Sequence, residues 1–129
     1  ELYGSREAFQ AMAVLAATLP GMPLVYGGQE AFFEKRLKFF EKDPIDWKDR
    51  GLAGFYGELL ALKRRHRALW NGQFGADAKV VDTGNPAVFR FTRGEGAGRV
   101  TVSVNLTGRS QALPSIGGAA LMPWGWRIG

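Results

Sequence analysis

The 129-residue chain has no cysteine and a single histidine. The first absence excludes disulfides and thiolate metal sites, and it leaves the redox compartment open because many secreted bacterial proteins also lack cysteine. The second leaves His66 with no second histidine and no suitably spaced carboxylate to complete a metal site. Packing or helix capping is its expected role, and no metal ligand is assigned. Long apolar runs are missing too. Pro20 and Gly21 interrupt the longest, well short of the roughly 18 to 20 residues that span a bilayer, so no membrane partner is expected. No basic segment followed by an apolar core and a small-residue cleavage site is visible, so no signal peptide is read and localisation stays unknown. A phosphate-cradling glycine loop is also absent. Gly94, Gly96 and Gly98 fall between two strand-like runs, where a hairpin turn explains them.

What the chain does contain is ordinary for a globular protein, at 46% hydrophobic and 22% charged residues, which argues against disorder. The net charge of +5 is unevenly placed, with seven Lys/Arg and eight Asp/Glu in residues 1–50 against ten and four in residues 51–129. A basic excess of this kind can favour an acidic partner. The run Lys63-Arg64-Arg65-His66-Arg67 is its densest part. On a helix, Arg64, Arg65 and Arg67 spread over the side away from Leu59 and Leu62, and no zinc-finger spacing or RNA-recognition aromatic motif accompanies them. A solvated face is expected, with no nucleic-acid partner.

Local pattern gives an α+β chain in two parts. Ser5 can cap a helix with Glu7 in its first turn, and Phe9, Met12, Ala13, Ala16 and Leu19 recur at helical spacing up to Pro20. Residues 22–26 form a short continuous apolar run, the pattern of a parallel strand covered on both faces. Residues 31–50 mix charge and aromatics without period and are broken by Pro44, so a long, partly helical loop is expected. Leu52, Phe55, Leu59, Leu62 and His66 then restore a helical face. Beyond Asn71-Gly72, strand-like runs are expected at 78–82, 87–93, 99–105, 111–113 and 119–122, separated by turn chemistry as in a small antiparallel β-sandwich. The expected division is 1–70 and 71–129.

These words in this order resemble glycoside hydrolase family 13, the alpha-amylase superfamily. In that family a late barrel helix leads through Gly-x-Pro into the eighth strand, which closes with Gly-x-Glu; here those positions are Gly21, Pro23, Gly28 and Glu30. Asp43-Pro44-Ile45-Asp46-Trp47 resembles the segment before the last barrel helix. Phe55 to Arg64, FYGELLALKR, looks like that helix, and Ala68-Leu69 and Gly72 follow it. The resemblance implies that residues 1–70 are the C-terminal end of a (β/α)8 barrel and 71–129 its antiparallel β domain. It places Tyr26, Gly28, Gln29, Glu30 and Trp47 at or near the barrel mouth, where the active site of a TIM barrel forms.

The resemblance also implies what is missing. The family's retaining mechanism needs an Asp nucleophile and a Glu acid/base about 5 to 5.5 Å apart, with a second Asp steadying the transition state. All three come from strands that would precede Glu1, so no catalytic residue is assigned here and the chain alone is expected to be inactive. Asp43, Asp46 and Asp49 sit among Lys42, Lys48 and Arg50, which suits solvated or salt-bridged carboxylates. No cofactor is implied, although the parent enzyme can carry calcium. Expected partners are α-glucan in the parent, the remainder of the barrel, and a second copy of the chain.

Two other functions remain open on the residues alone. Trp47, or Trp124 with Trp126, could stack on sugar rings and make the chain a carbohydrate-binding or structural β-sandwich module. Phe32, Phe33, Phe39 and Phe40 could do the same, although packing is the commoner role for such residues.

Overall fold

The computed structural model describes residues 4–33, 38, 41–48, 51–113 and 119–129. Its first element, α1 (Arg6–Thr18), starts where expected: Ser5 is extended and its Oγ accepts a hydrogen bond from the Ala8 amide at 3.1 Å. The helix stops at Leu19, whose extended backbone turns the chain toward Pro20. α2 (Ala53–Arg65) follows Leu52, which is itself fully buried. Two short 3-10 turns, Arg67–Leu69 and Gly72–Phe74, lead into the strands.

Six strands follow: β1 (Ala78–Val80), β2 (Val88–Arg93), β3 (Val100–Asn105), β4 (Gln111–Leu113), β5 (Ala119–Leu121) and β6 (Trp126–Ile128). β1, β2, β3 and β6 make one antiparallel sheet in that order, and β4 and β5 pair as a separate hairpin. The register sets Arg90 opposite Ser103 and Val104 opposite Trp126. β6 was not among the strands expected from the sequence. Its single apolar-polar-apolar triplet, WRI, carries too little periodicity to be read alone.

The strand expected at residues 22–26 does not form; the segment belongs to neither helix nor strand. A strand exists by pairing, and no described segment offers its edge there. Residues 31–33, 38 and 41–48 contain no helix either. Phe39, Phe40 and Asp49, considered above as sugar-stacking or carboxylate candidates, lie outside the described residues.

One face of the large sheet packs on the helices. Phe91, Val102 and Val104 share a core with Ala11, Val14, Ala17, Leu59 and Leu69. Trp126 joins sheet to helix, its ring centroid 5.6 Å from that of Phe55. The other face is covered by the β4–β5 hairpin, through Val88, Leu113 and Leu121. Polar residues on this face are therefore buried, and they are held by hydrogen bonds. Arg90 Nε donates to Ser103 Oγ at 2.8 Å. Asn105 Nδ2 donates to the carbonyls of Arg109 and Met122, at 2.6 and 2.8 Å, while its Oδ1 accepts from the Thr107 amide.

Candidate functional site

Four of the five expected mouth residues, Tyr26, Gly28, Gln29 and Glu30, fall on one segment, which begins where α1 ends. Gly21 has φ of +129°, a conformation that an L side chain rarely adopts, and this lets the chain reverse after Pro20. Two buried cations hold the reversal in place. Lys63, from α2, donates through Nζ to the carbonyls of Gly21 at 3.1 Å and Leu69 at 2.6 Å. Arg93, from β2, donates to Thr18 O at 3.1 Å, Trp70 O at 3.0 Å and Ala76 O at 2.8 Å. Thus five main-chain carbonyls are satisfied by two side chains, and Arg93 ties the end of α1 to the sheet. Burial pulls the Lys63 pKa below the usual lysine value, and the nearby Arg93 charge adds to that. Burial likewise lowers Arg93, while Asp77 opposes the shift.

Residues 22–26 run on from this anchor with large side chains in water. Met22 is 81% exposed, Leu24 83% and Tyr26 60%. A tight turn follows. The Gln29 amide donates to Tyr26 O at 3.0 Å, and Gln29 Oε1 accepts from the Tyr26 amide at 2.8 Å, so Gln29 closes the turn from both sides. The Ala31 and Phe33 amides both donate to Gly28 O. Gly28 combines φ of +94° with neighbours at contact distance: a Cβ there would lie 3.1 Å from Phe33 Cβ and 3.2 Å from Ile45 Cγ2. The close approach that Gly28 permits is therefore made by the 41–48 segment of the same chain. Ile45 docks on the turn, and Trp47, two residues further on, is 62% exposed.

Tyr26, Gly28, Gln29 and Glu30 are brought together in this turn, with the segment carrying Trp47 packed on it. Glu30 is half-buried, and its Oε2 is shielded from solvent with no hydrogen-bond partner among the described residues. The Tyr56 phenol is raised above its ordinary pKa by burial and, secondarily, by the Glu30 charge. Glu30 therefore acts on α2 electrostatically. Asp43 and Asp46 are engaged near lysines: Asp43 Oδ2 accepts from the Lys38 amide, and Asp46 lies 3.6 Å from Lys48 Nζ. Among the described residues, no group of three or more His, Asp or Glu is placed to hold a metal ion.

Beside the turn runs a cleft of about 130 Å³ between α1, α2 and residues 23–25. Its α1 wall is Phe9, Met12, Ala13 and Ala16, and Tyr56, Leu59 and Leu60 face them from α2. That α1 wall is the face the sequence pattern marked as core. The face buried in this structure is instead Ala8, Ala11, Val14 and Ala17. The helix is apolar on both sides; one is buried, and the other is covered only in part, with Phe9, Met12 and Ala13 half-buried and Ala16 exposed. Lys63, Arg93 and Tyr56 were not singled out as site residues. Lys63 sits in a run of cations, and Arg93 ends a strand where an exposed cation is common, so neither signals burial.

The other sequence candidates make packing contacts. Phe32 meets Phe9 edge to face, with centroids 6.0 Å apart, and Arg6 lies over its ring at 5.6 Å. Trp124 and Trp126 pack on the core. His66 caps α2, its amide bonded to Leu62 O at 3.1 Å, and its side chain is exposed with Arg64, Arg65 and Arg67 around it.

No protein-family model matches the chain, and no curated protein does. Solved structures match it throughout. A maltogenic amylase from S. marinus aligns with a TM-score of 0.76 at 18% identity, over 96% of this chain and 19% of the other. In fold, the chain matches the C-terminal part of α-amylase-family enzymes. AmyP in complex with maltose aligns over 95% of this chain and 34% of its own, with a TM-score of 0.67 and 15% identity. A cyclic α-maltosyl-(1→6)-maltose hydrolase from Arthrobacter globiformis gives 0.65 and 20% over 98% of this chain. The chain spans 19% to 34% of the length of these solved chains.

Proposed function

We propose that the chain is the C-terminal portion of an α-glucan-acting retaining glycosidase, residues 1–70 ending a (β/α)8 barrel and 71–129 forming the β domain behind it. The observation that carries this reading is the match of nearly the whole chain to one part of a maltogenic amylase, at a TM-score of 0.76. The open cleft supports it. An amphipathic helix in a finished domain covers its apolar stripe, yet α1 leaves Phe9, Met12, Ala13 and Ala16 facing a cleft next to the exposed Leu24. The occupant of that cleft, on this reading, is the rest of the barrel, whose strands pair with residues 22–26.

The chain then contributes the rim of the mouth and no catalytic carboxylate. Gly21 and Gly28 shape the backbone, Gln29 fixes the turn, and Tyr26 and Trp47 offer exposed rings on which a glucose unit can stack. Glu30 stays half-buried as a supporting group. The test is an assay of the highly purified chain on maltoheptaose, read as reducing sugar and run beside light scattering. The expected outcome is no protein-dependent release, with self-association through the open edge of residues 22–26. Measurable release by the chain alone, or a strictly monomeric folded species, contradicts this reading.

A further inference from the structure

A second cluster of exposed aromatics lies outside the mouth. Residues 70–75 read Trp-Asn-Gly-Gln-Phe-Gly, and among the large hydrophobic side chains left in water are Trp70 at 42% and Phe74 at 61% exposure. The loop that carries them is closed and held. Trp70 O is taken by Arg93, the Gly75 amide donates to Gly72 O at 3.2 Å, and the Ala76 amide donates to Ala68 O at 3.0 Å. Its ends approach so closely that a Cβ on Gly75 would collide with the Trp70 carbonyl. The indole Nε1 donates to Arg64 O at 3.2 Å, which fixes the Trp70 ring while leaving it partly exposed.

Exposed apolar rings on a hydrogen-bonded loop need a reason, because water is a poor neighbour for them, and the held Trp70 ring has little side-chain entropy left to lose on binding. The loop itself bears no charge, and its other long side chain is the exposed amide of Gln73. Aromatic faces beside a neutral hydrogen-bonding group suit a ligand with flat C–H faces and hydroxyl edges. We propose that loop 70–74 is a second α-glucan contact, in which Trp70 and Phe74 stack on pyranose rings and the Gln73 amide bonds their hydroxyls. The choice of α-glucan over other sugars rests on the function proposed above.

The test is a titration of the isotopically labelled chain with maltoheptaose, followed by NMR. Resonances of the Trp70 indole, the Phe74 ring and the Gln73 side-chain amide are expected to shift together. Phe74→Ala, which removes an exposed ring, is expected to weaken binding at this locus about tenfold, the order of one lost aromatic platform, with the spectrum otherwise preserved. Trp47→Ala is expected to leave this locus unchanged. Shifts at Tyr26 and Trp47 alone overturn the loop proposal while the glucan reading stands. No shift anywhere in millimolar maltoheptaose overturns the loop proposal and counts against glucan binding by the chain. Shifts at the loop with cellohexaose and none with maltoheptaose keep a sugar contact and overturn its α-glucan assignment. Oligomers in light scattering that Phe74→Ala dissolves make the loop a protein contact and overturn the proposal.

Discussion

Phe91 and Val102 are fully buried, whereas Met22 and Leu24, no less apolar, stand 81% and 83% exposed. The contrast separates two regions of one small protein. In the β region both faces of the central strands find cover, from the helices on one side and the β4–β5 hairpin on the other, and the buried polar groups Ser103 and Asn105 have bonded partners. In the helical region α1 covers one apolar face and leaves another on an open cleft, and the run at 22–26 reaches no partner strand among the described residues. The same hydrophobic residue types thus give a closed structure where pairing partners lie nearby in sequence, and an open one where they do not.

The comparison breaks most severely if its tie is removed. Arg93 satisfies carbonyls of Thr18, Trp70 and Ala76, so Arg93→Met is expected to cost about 3 to 5 kcal/mol in urea unfolding, the scale for leaving several buried carbonyls without a donor. A loss under about 1 kcal/mol, no more than one ordinary hydrogen bond, would mean that the regions do not depend on this clamp. Asn105→Ala sharpens the contrast from the β side. It strands the carbonyls of Arg109 and Met122, with an expected cost of about 2 to 3 kcal/mol. Its local signature is faster amide exchange in β4 and β5, with α1 unchanged. Ser5→Ala probes the helical side alone, where loss of the cap on Ala8 is expected to cost about 1 kcal/mol.

The smallest effect is the dependence on alkaline pH. Tyr56 has a folded pKa above 10.0, so above that value the unfolded chain gives up the proton first and stability falls as pH rises. Lys63 has a folded pKa below 10.5; between the two the unfolded chain holds more protons, and stability rises toward pH 10.5. Tyr56→Phe is expected to remove the alkaline fall and Lys63→Met the rise, both measured as midpoint temperature against pH. Identical profiles in wild type and variants would detach these groups from the fold.

How much of this the sequence carried follows the same division. Strands at 88–93, 100–105 and 111–113 were legible because alternation and turn residues are local signals, and the helix start at Ser5 was legible from its cap. The buried face of α1 was not, since alanine, methionine and valine surround that helix and its period does not choose a side. Lys63 and Arg93 were illegible for a different reason: apart from the Leu69 carbonyl close to Lys63, their burial depends on carbonyls at residues 18, 21, 70 and 76, far from them in the chain. At the candidate site, Gly28 stood in the sequence only as the close of an expected strand. Neither the turn it makes nor the partner pressed against it, Ile45, was legible.

Native-state hydrogen exchange, resolved by residue, reads the contrast between the regions directly. Amides of Phe91, Val102 and Val104 are expected to exchange only through global unfolding, and those of Leu24 and Val25 with little protection, a difference close to the whole stability of the fold. Under conditions where the chain is monomeric, equal protection at Leu24, Val25 and the β3 amides would contradict it, because residues 22–26 would then already possess the partner that the open cleft says they lack.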